Sequence, residues 1–322
     1  ATVNVTLPGA PAVLADVGSV SNASGMAHQN HLIYAPDFGE WWLWYVGSNQ
    51  SRSLQTLHST DFVTWSAGAN ADITDAHAND GRNLNVADKM LNGHHVVHLS
   101  VGLPSGRGFA HLQASLGQGA ITFAAVQPLS TNGNIDPDGP AVVITDAGTV
   151  VHATGWEATP ATPPLSPCGN GDNEVFTSTL NDDGTTNLLA ANFRRDVLWC
   201  VPTTINARYM TAVGEQIYLL YDDGANNPRP VNLFFNQRRS DGTWLPTQTT
   251  LTTPPSVFGN NNDFDLNDWG ATVQGGNLHA IRRVPGRYEH RMFTIGTEGA
   301  WRDGAAVPVL AGKAGSGIYL TP

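Results

Sequence analysis

Apolar residues in this chain come in short runs, broken every few positions by Gly, Pro, Asn, Asp or Ser. The strongest runs are Trp41 to Val46, His95 to Val101, Thr149 to Thr154, Gln216 to Tyr221 and Leu278 to Ile281. None is long enough, or regularly enough spaced, for an amphipathic helix. Runs of this length between turn residues read as strands. A weaker run, such as His31 to Tyr34 or Tyr209 to Val213, leads into the strong one. Between the two lies a tight glycine turn: Phe38-Gly39, Asn92-Gly93, Ala147-Gly148, Val213-Gly214 and Gly275-Gly276. The pattern predicts one hairpin repeated five times.

A second turn recurs further along each unit. Ser59-Thr60-Asp61-Phe62-Val63-Thr64-Trp65, Ser240-Asp241-Gly242-Thr243-Trp244 and Thr297-Glu298-Gly299-Ala300-Trp301 are its clear copies. Gly117-Gln118-Gly119 before Phe123, and Asn181-Asp182-Asp183-Gly184, are weaker ones. The markers Asp61, Gly119, Asp183, Asp241 and Glu298 are spaced by 58, 64, 58 and 57 residues. Such a period lies just beyond the usual propeller-blade range, and an insertion before Asn173 accounts for the long interval. Four strands per unit, five times over, predict an all-β β-propeller filling residues 1–322 as a single domain. The aromatic after each second turn is read as packing between blades. Val3 to Leu7 and Gly317 to Thr321 lie outside the five units and are short strand candidates. Paired in one blade they would close the ring and remove its open edges. Six blades, one split across the termini, is the alternative.

Composition narrows the partners. Asp and Glu number 27 against 16 Lys and Arg, a formal net charge of -11, which disfavours nucleic acid. Only 13% of residues are charged, while Gly (34) and Pro (20) are plentiful, as suits short strands joined by many turns. No apolar stretch reaches the length of a membrane span. The sequence starts at Ala1 without Met, as would a processed secretory protein or a trimmed chain. Cys168 lies in a Pro- and Gly-rich stretch, and a disulfide to Cys200 would hold that loop. This pairing implies an oxidising compartment, extracellular or periplasmic. Two separate buried thiols are the alternative.

Candidate chemistry follows from position in the repeat. In a propeller, the segments leading into first strands share a face with the loops between second and third strands. The leading segments hold His28-Gln29-Asn30-His31, Asp80-Gly81-Arg82-Asn83, Asp136-Pro137-Asp138-Gly139, Asn206-Ala207-Arg208-Tyr209 and Asn267-Asp268-Trp269. Each is polar near the axis, where packing alone would favour small or apolar residues. The loops add Arg52, Arg107, Trp156, Glu157, Asp172, Glu174, Asp222, Asp223, Arg229, Arg287 and Tyr288. Aromatic rings beside carboxylates and arginines suit sugars, which stack a C–H face and offer hydroxyls. Ordinary loop polarity is the alternative for any one of these residues.

Blade one, with its Trp/Tyr-rich second strand and Ser59-to-Trp65 turn, resembles that of five-bladed glycosidases of families 43, 62 and 32. Ile135-Asp136-Pro137 in blade three is similar to the family 43 segment that carries an Asp-Pro near the sugar. The resemblance covers roughly residues 27–155. It implies glycoside hydrolysis by a carboxylate base, a carboxylic acid and a third Asp that tunes the acid, and Asp136 matches the third. The chain departs at the other two. His28-Gln29-Asn30-His31 stands where the family has its base Asp, and Asn206-Ala207-Arg208 where it has its acid Glu.

The expectation is therefore a secreted carbohydrate-active protein with one central pocket, a glycoside hydrolase or a polysaccharide lyase. Asp136, Asp268 and His31 are the candidate proton-handling residues. His28, Arg82, Trp156, Arg208 and Tyr209 are the candidate substrate-binding residues. A non-catalytic lectin-type or metal-binding propeller is the alternative. No cofactor is expected to be required, although Asn, Asp and His near the axis suit a structural Ca²⁺ or another ion in the channel. The expected partner is an oligosaccharide or polysaccharide.

Overall fold

The computed structural model describes residues 30–46, 54–67, 84–102, 109–130, 140–157, 173–181, 194–201, 205–223, 233–245, 249–250, 269–274, 276–284, 287–295, 301–303 and 307–309. These residues form five antiparallel sheets and contain no helix. Sheet one runs β1 (Leu32–Ala35), β2 (Glu40–Val46), β3 (Leu54–Ser59) and β4 (Ser66–Ala67) in sequence order. Sheet two runs β5 (Leu84–Leu91), β6 (His94–Gly102), β7 (Phe109–Gly117) and β8 (Ala120–Phe123), with β9 (Gln127–Ser130) also on β7. Sheet three is β10 (Ala141–Ile144), β11 (Thr149–Glu157), β12 (Asn173–Asn181) and β13 (Arg194–Val201). Sheet four is β14 (Ile205–Val213), β15 (Gln216–Asp223), β16 (Leu233–Arg238) and β17 (Thr249–Thr250). Sheet five is β18 (Trp269–Gln274), β19 (Asn277–Val284), β20 (Arg287–Ile295) and β21 (Trp301–Asp303), with β22 (Val307–Val309) on β20.

The five glycine turns close the first hairpin of each sheet. Gly39 and Gly214 do so with φ of 63° and 59°, a left-handed conformation that side chains beyond glycine resist. The second turn departs from this rule once. Asp241-Gly242 in sheet four places glycine at φ 88°, whereas sheet one puts Phe62 at φ 62° in the corresponding place. Asp61 Oδ1 accepts the N–H groups of Val63 and Thr64 at 2.8 and 2.6 Å and so holds this turn. These bonds draw its carboxyl down to about 2.

First strands neighbour one another in chain order: β1 meets β5, β5 meets β10, β10 meets β14 and β14 meets β18. Each sheet thereby faces the next. Ile33, Trp42 and Trp44 of sheet one are buried against Leu84, Val97, Leu99 and Leu112 of sheet two. Leu91 and Val96 meet Val142, Ile144 and Val150 of sheet three. On the far side of sheet three, Val143 and Val151 meet Met210, Ile217 and Leu219 of sheet four. A second strand such as β6 is thus covered on both faces, which is why it reads as a continuous apolar run. Phe123 and Trp244, which follow second turns, pack onto these shared cores as expected. Trp65 does not: its ring meets Phe62 of its own turn at 5.5 Å, and Phe62 meets Trp41 at 5.0 Å. The turn at Asp183 and the terminal strand candidates at Val3 to Leu7 and Gly317 to Thr321 lie outside the described residues.

Candidate functional site

Every sheet has two edges of different character. At the leading edge the first strand begins and the second ends; at the turn edge the first and second strands meet in the glycine turn. The registers fix which residues reach the leading edge. Trp156 pairs with Glu174, and Glu157 with Asn173, beyond the start of β10. Asp222 pairs with Leu233, Asp223 with Ile205 and Arg208 with Tyr221. Arg283 pairs with Tyr288 and Val284 with Arg287 at the same edge of sheet five. The structure thus brings predicted aromatic, acidic and basic residues to corresponding edges of three consecutive sheets. His28, Arg82, Asp136, Asp268 and Cys168 lie outside the described residues.

Two predicted site residues occupy the spaces between sheets. His31, just ahead of β1, is only 6% exposed, and its Nδ1–H donates to the Trp44 carbonyl at 3.1 Å. Burial pushes its pKa down to about 4, against the partial support of the Trp44 and Leu84 backbone. The ring is therefore neutral near pH 7 and sits inside the contact between sheets one and two. Its neighbour Asn30 joins the same sheets. Asn30 Nδ2 donates to the Val86 carbonyl at 3.1 Å, and Val86 N–H donates to the Asn30 carbonyl at 2.9 Å. Tyr209 lies partly buried between sheets four and five, where its hydroxyl interacts with Thr272, Thr211 and the Val273 backbone. Burial raises its pKa above the usual value, so it remains a phenol. Through this contact the first strands of the two sheets are joined.

The turn edge spends its charges on ties between sheets. Glu40, whose side chain is 4% exposed, accepts the Gly119 N–H on both oxygens at 3.0 and 2.9 Å, linking sheets one and two. His58 Nδ1 stands 3.9 Å from the same carboxylate. Glu215 accepts from Thr145 Oγ1 at 2.8 Å and from the Ala147 N–H at 2.6 Å, linking sheets four and three. Lys89 pairs with Asp146 across sheets two and three. His95 bonds Asp88 at 3.0 Å and lies 3.9 Å from Asp37 of sheet one. Sequence reasoning overlooked this stitching. Its signal was a Gly-Glu dipeptide in two first turns, Gly39-Glu40 and Gly214-Glu215. Also overlooked was a group of buried polar residues between sheets two and three, among them Ser100, His111 and His152. Among the described residues, no group of three or more His, Cys, Asp or Glu has an arrangement that could hold a metal.

No known protein family and no curated protein matches the sequence. Solved structures do match the fold. The chain is similar to a fucose-specific lectin from Aleuria aurantia at 13% identity and a TM-score of 0.51, over 85% of this chain and 75% of that one. It is similar to the α-L-arabinofuranosidase Arb93A from Fusarium graminearum at 10% identity and a TM-score of 0.50, over 89% and 86%. A thermostable family-43 glycoside hydrolase also matches, at 9% identity and a TM-score of 0.47, over 93% and 100%. Identities this low speak to architecture alone. With the five sequential sheets, the likeness identifies an all-β chain with a β-propeller fold.

Proposed function

We propose that this chain is an extracytoplasmic, carbohydrate-active propeller of five blades, each one of the sheets described above. Its single saccharide site lies where the leading edges converge on the axis. The observation that carries this reading is the make-up of the leading edge. Trp156, Glu157, Glu174, Asp222, Asp223, Arg287 and Tyr288 all take register positions there, on three consecutive sheets. The likeness to structures of a fucose-specific lectin and an arabinofuranosidase supports a sugar as the ligand class.

Within this reading Asp136 and Asp268 handle the proton or tune a neighbour, as a glycoside hydrolase or polysaccharide lyase requires. His28, Arg82 and Arg208 hold hydroxyl or anionic groups, and Trp156 stacks on the sugar. His31 is assigned to the space between blades one and two, where burial keeps its ring from a ligand. Tyr209 is only partly covered and stays among the candidate contacts. A lectin is the second reading. It is favoured by Asn30 and His31 being committed to backbone groups at the place where the resembling glycosidases carry their base.

A glycan array and a polysaccharide panel, with and without chelator, would identify the ligand. Asp136→Asn and Arg82→Ala are then expected to reduce turnover or binding at least about tenfold, equivalent to about 1.4 kcal/mol, with the melting temperature within about 2 °C of wild type. Lost turnover with retained binding in Asp136→Asn supports the enzyme; loss of binding alone supports the lectin. Full function in both variants would overturn the site. A chelator-sensitive melting temperature that the Asp136 variant abolishes would make the ring an ion plug instead.

A further inference from the structure

Among the described residues, the contact between blades two and three has two halves of different chemistry. Its turn-edge half is apolar, built from Leu91, Val96, Val142, Ile144 and Val150. Its other half is polar and equally dry. Val96, His98 and Ser100 alternate along β6 towards blade three, as do His111 and Gln113 along β7, and His152 faces them from β11. Ser100, His98, His111 and His152 are all 0% exposed, and Gln113 and Asn85 are buried beside them.

The contacts form a continuous chain. Ser100 Oγ lies 2.5 Å from His152 Nδ1 and 3.4 Å from the Ala141 carbonyl. His152 Nε2 lies 3.0 Å from His111 Nδ1, with the two rings edge to face. His111 in turn stacks on His98, centroids 5.1 Å apart. Neutral rings satisfy this chain in either direction, since each junction needs one donor and one acceptor. Ser100 can donate to His152 while His152 donates to His111, or the order can reverse with Ser100 donating to Ala141. A single proton added to His152 leaves donors at both of its nitrogens. A second proton faces a like charge within a hydrogen-bond length, on rings with no exposure to solvent. The arrangement therefore holds neutral imidazoles well and several imidazolium ions poorly.

We propose that the seam between blades two and three is a pH-sensitive latch, closed while His111 and His152 are neutral and released when both take a proton. Burial, followed by repulsion from neighbouring histidines, holds His111 and His152 well below the ordinary histidine range. In the unfolded or opened state the rings protonate near pH 6.5. The closed seam is thus fully favoured above that pH and loses stability as pH falls from there towards the lower folded values. Among the described residues, few other titratable groups stand on the facing elements. From β5 comes Lys89, paired with Asp146 of the β10–β11 turn, and from β6 comes exposed His94. The ion pair ties the turn-edge end of the same seam, so release begins at the opposite end. That end adjoins the segments carrying Arg82 and Asp136, but the latch stands whether or not the proposed sugar site does.

Hydrogen–deuterium exchange on the whole chain, corrected for intrinsic rates, tests the latch. Between pH 7.5 and 5, peptides covering β6, β7 and β11 are expected to lose protection at least tenfold more than peptides covering β14 and β15. The latter strands share an apolar core with blade three. His111→Gln and His152→Gln keep a donor and an acceptor without a titrating ring, and should flatten that difference. Should either variant fail to fold, exchange at the imidazole C2 position of the wild type gives the histidine titrations directly. His111 and His152 are expected to titrate well below the ordinary histidine range. Equal protection loss at all seams, or ordinary titration of both buried rings, would overturn the proposal. Saccharide binding is measured separately, so its failure leaves this result readable.

Discussion

Glu40 shows what a single side chain does for the contact between two sheets. Its carboxylate is almost wholly buried, yet it is satisfied by a turn of the neighbouring blade, both oxygens accepting the Gly119 N–H. A hydrogen bond to a charged acceptor is worth about 1.5–3 kcal/mol. Glu40→Ala should therefore cost about 2 kcal/mol in urea unfolding, and Glu40→Gln, which keeps a neutral acceptor, about half that. Equal stability of all three proteins would mean that the tie contributes nothing. The residue scale is also where the sequence was least legible. The sequence alone puts His31 among the polar residues near the axis; the structure buries its ring at the contact between sheets one and two. Whether a ring at the head of a strand points to solvent or into a seam depends on which blade lies beside it. His111 and His152 gave no signal, because they sit 41 residues apart and become neighbours only when two sheets face each other.

Single elements were far more legible, because turn chemistry marks them. A glycine with positive φ ends each predicted first strand, and the observed strands lie within a few residues of the apolar runs. The runs underestimate strand length at the leading edge, as β11 and β15 continue through Trp156-Glu157 and Asp222-Asp223. Polar residues there continue the hydrogen-bonded ladder without adding to the apolar pattern. The expected disulfide also belongs to the element scale, although Cys168 lies outside the described residues. Cys200 stands opposite Glu174 in the β12–β13 ladder, and Cys168 precedes Glu174 by six positions in the sequence. A disulfide between them would anchor the insertion where it joins β12. Non-reducing peptide mapping should recover the linked peptides, and reduction should lower stability by roughly 3–4 kcal/mol. Two free thiols in fresh protein would remove both the bridge and the case for an oxidising compartment.

At the scale of the whole molecule, the repeat was readable because every sheet is drawn from consecutive strands. The site was not, because its proposed residues meet only where several blades converge. That same order has a consequence for the chain's covalent continuity. Each blade completes its own ladders before the next begins, and among the described residues no strand crosses into another sheet. A cut between Ser130 and Pro140 would therefore interrupt no described strand. If the chain were severed there, the two fragments would each retain whole sheets and the complementary halves of one seam. Co-expressed, they should reassemble into one particle on size-exclusion chromatography at pH 7.5 and separate at pH 5. The molecule would then behave as a heterodimer whose interface chemistry is already written in Ser100, His111 and His152.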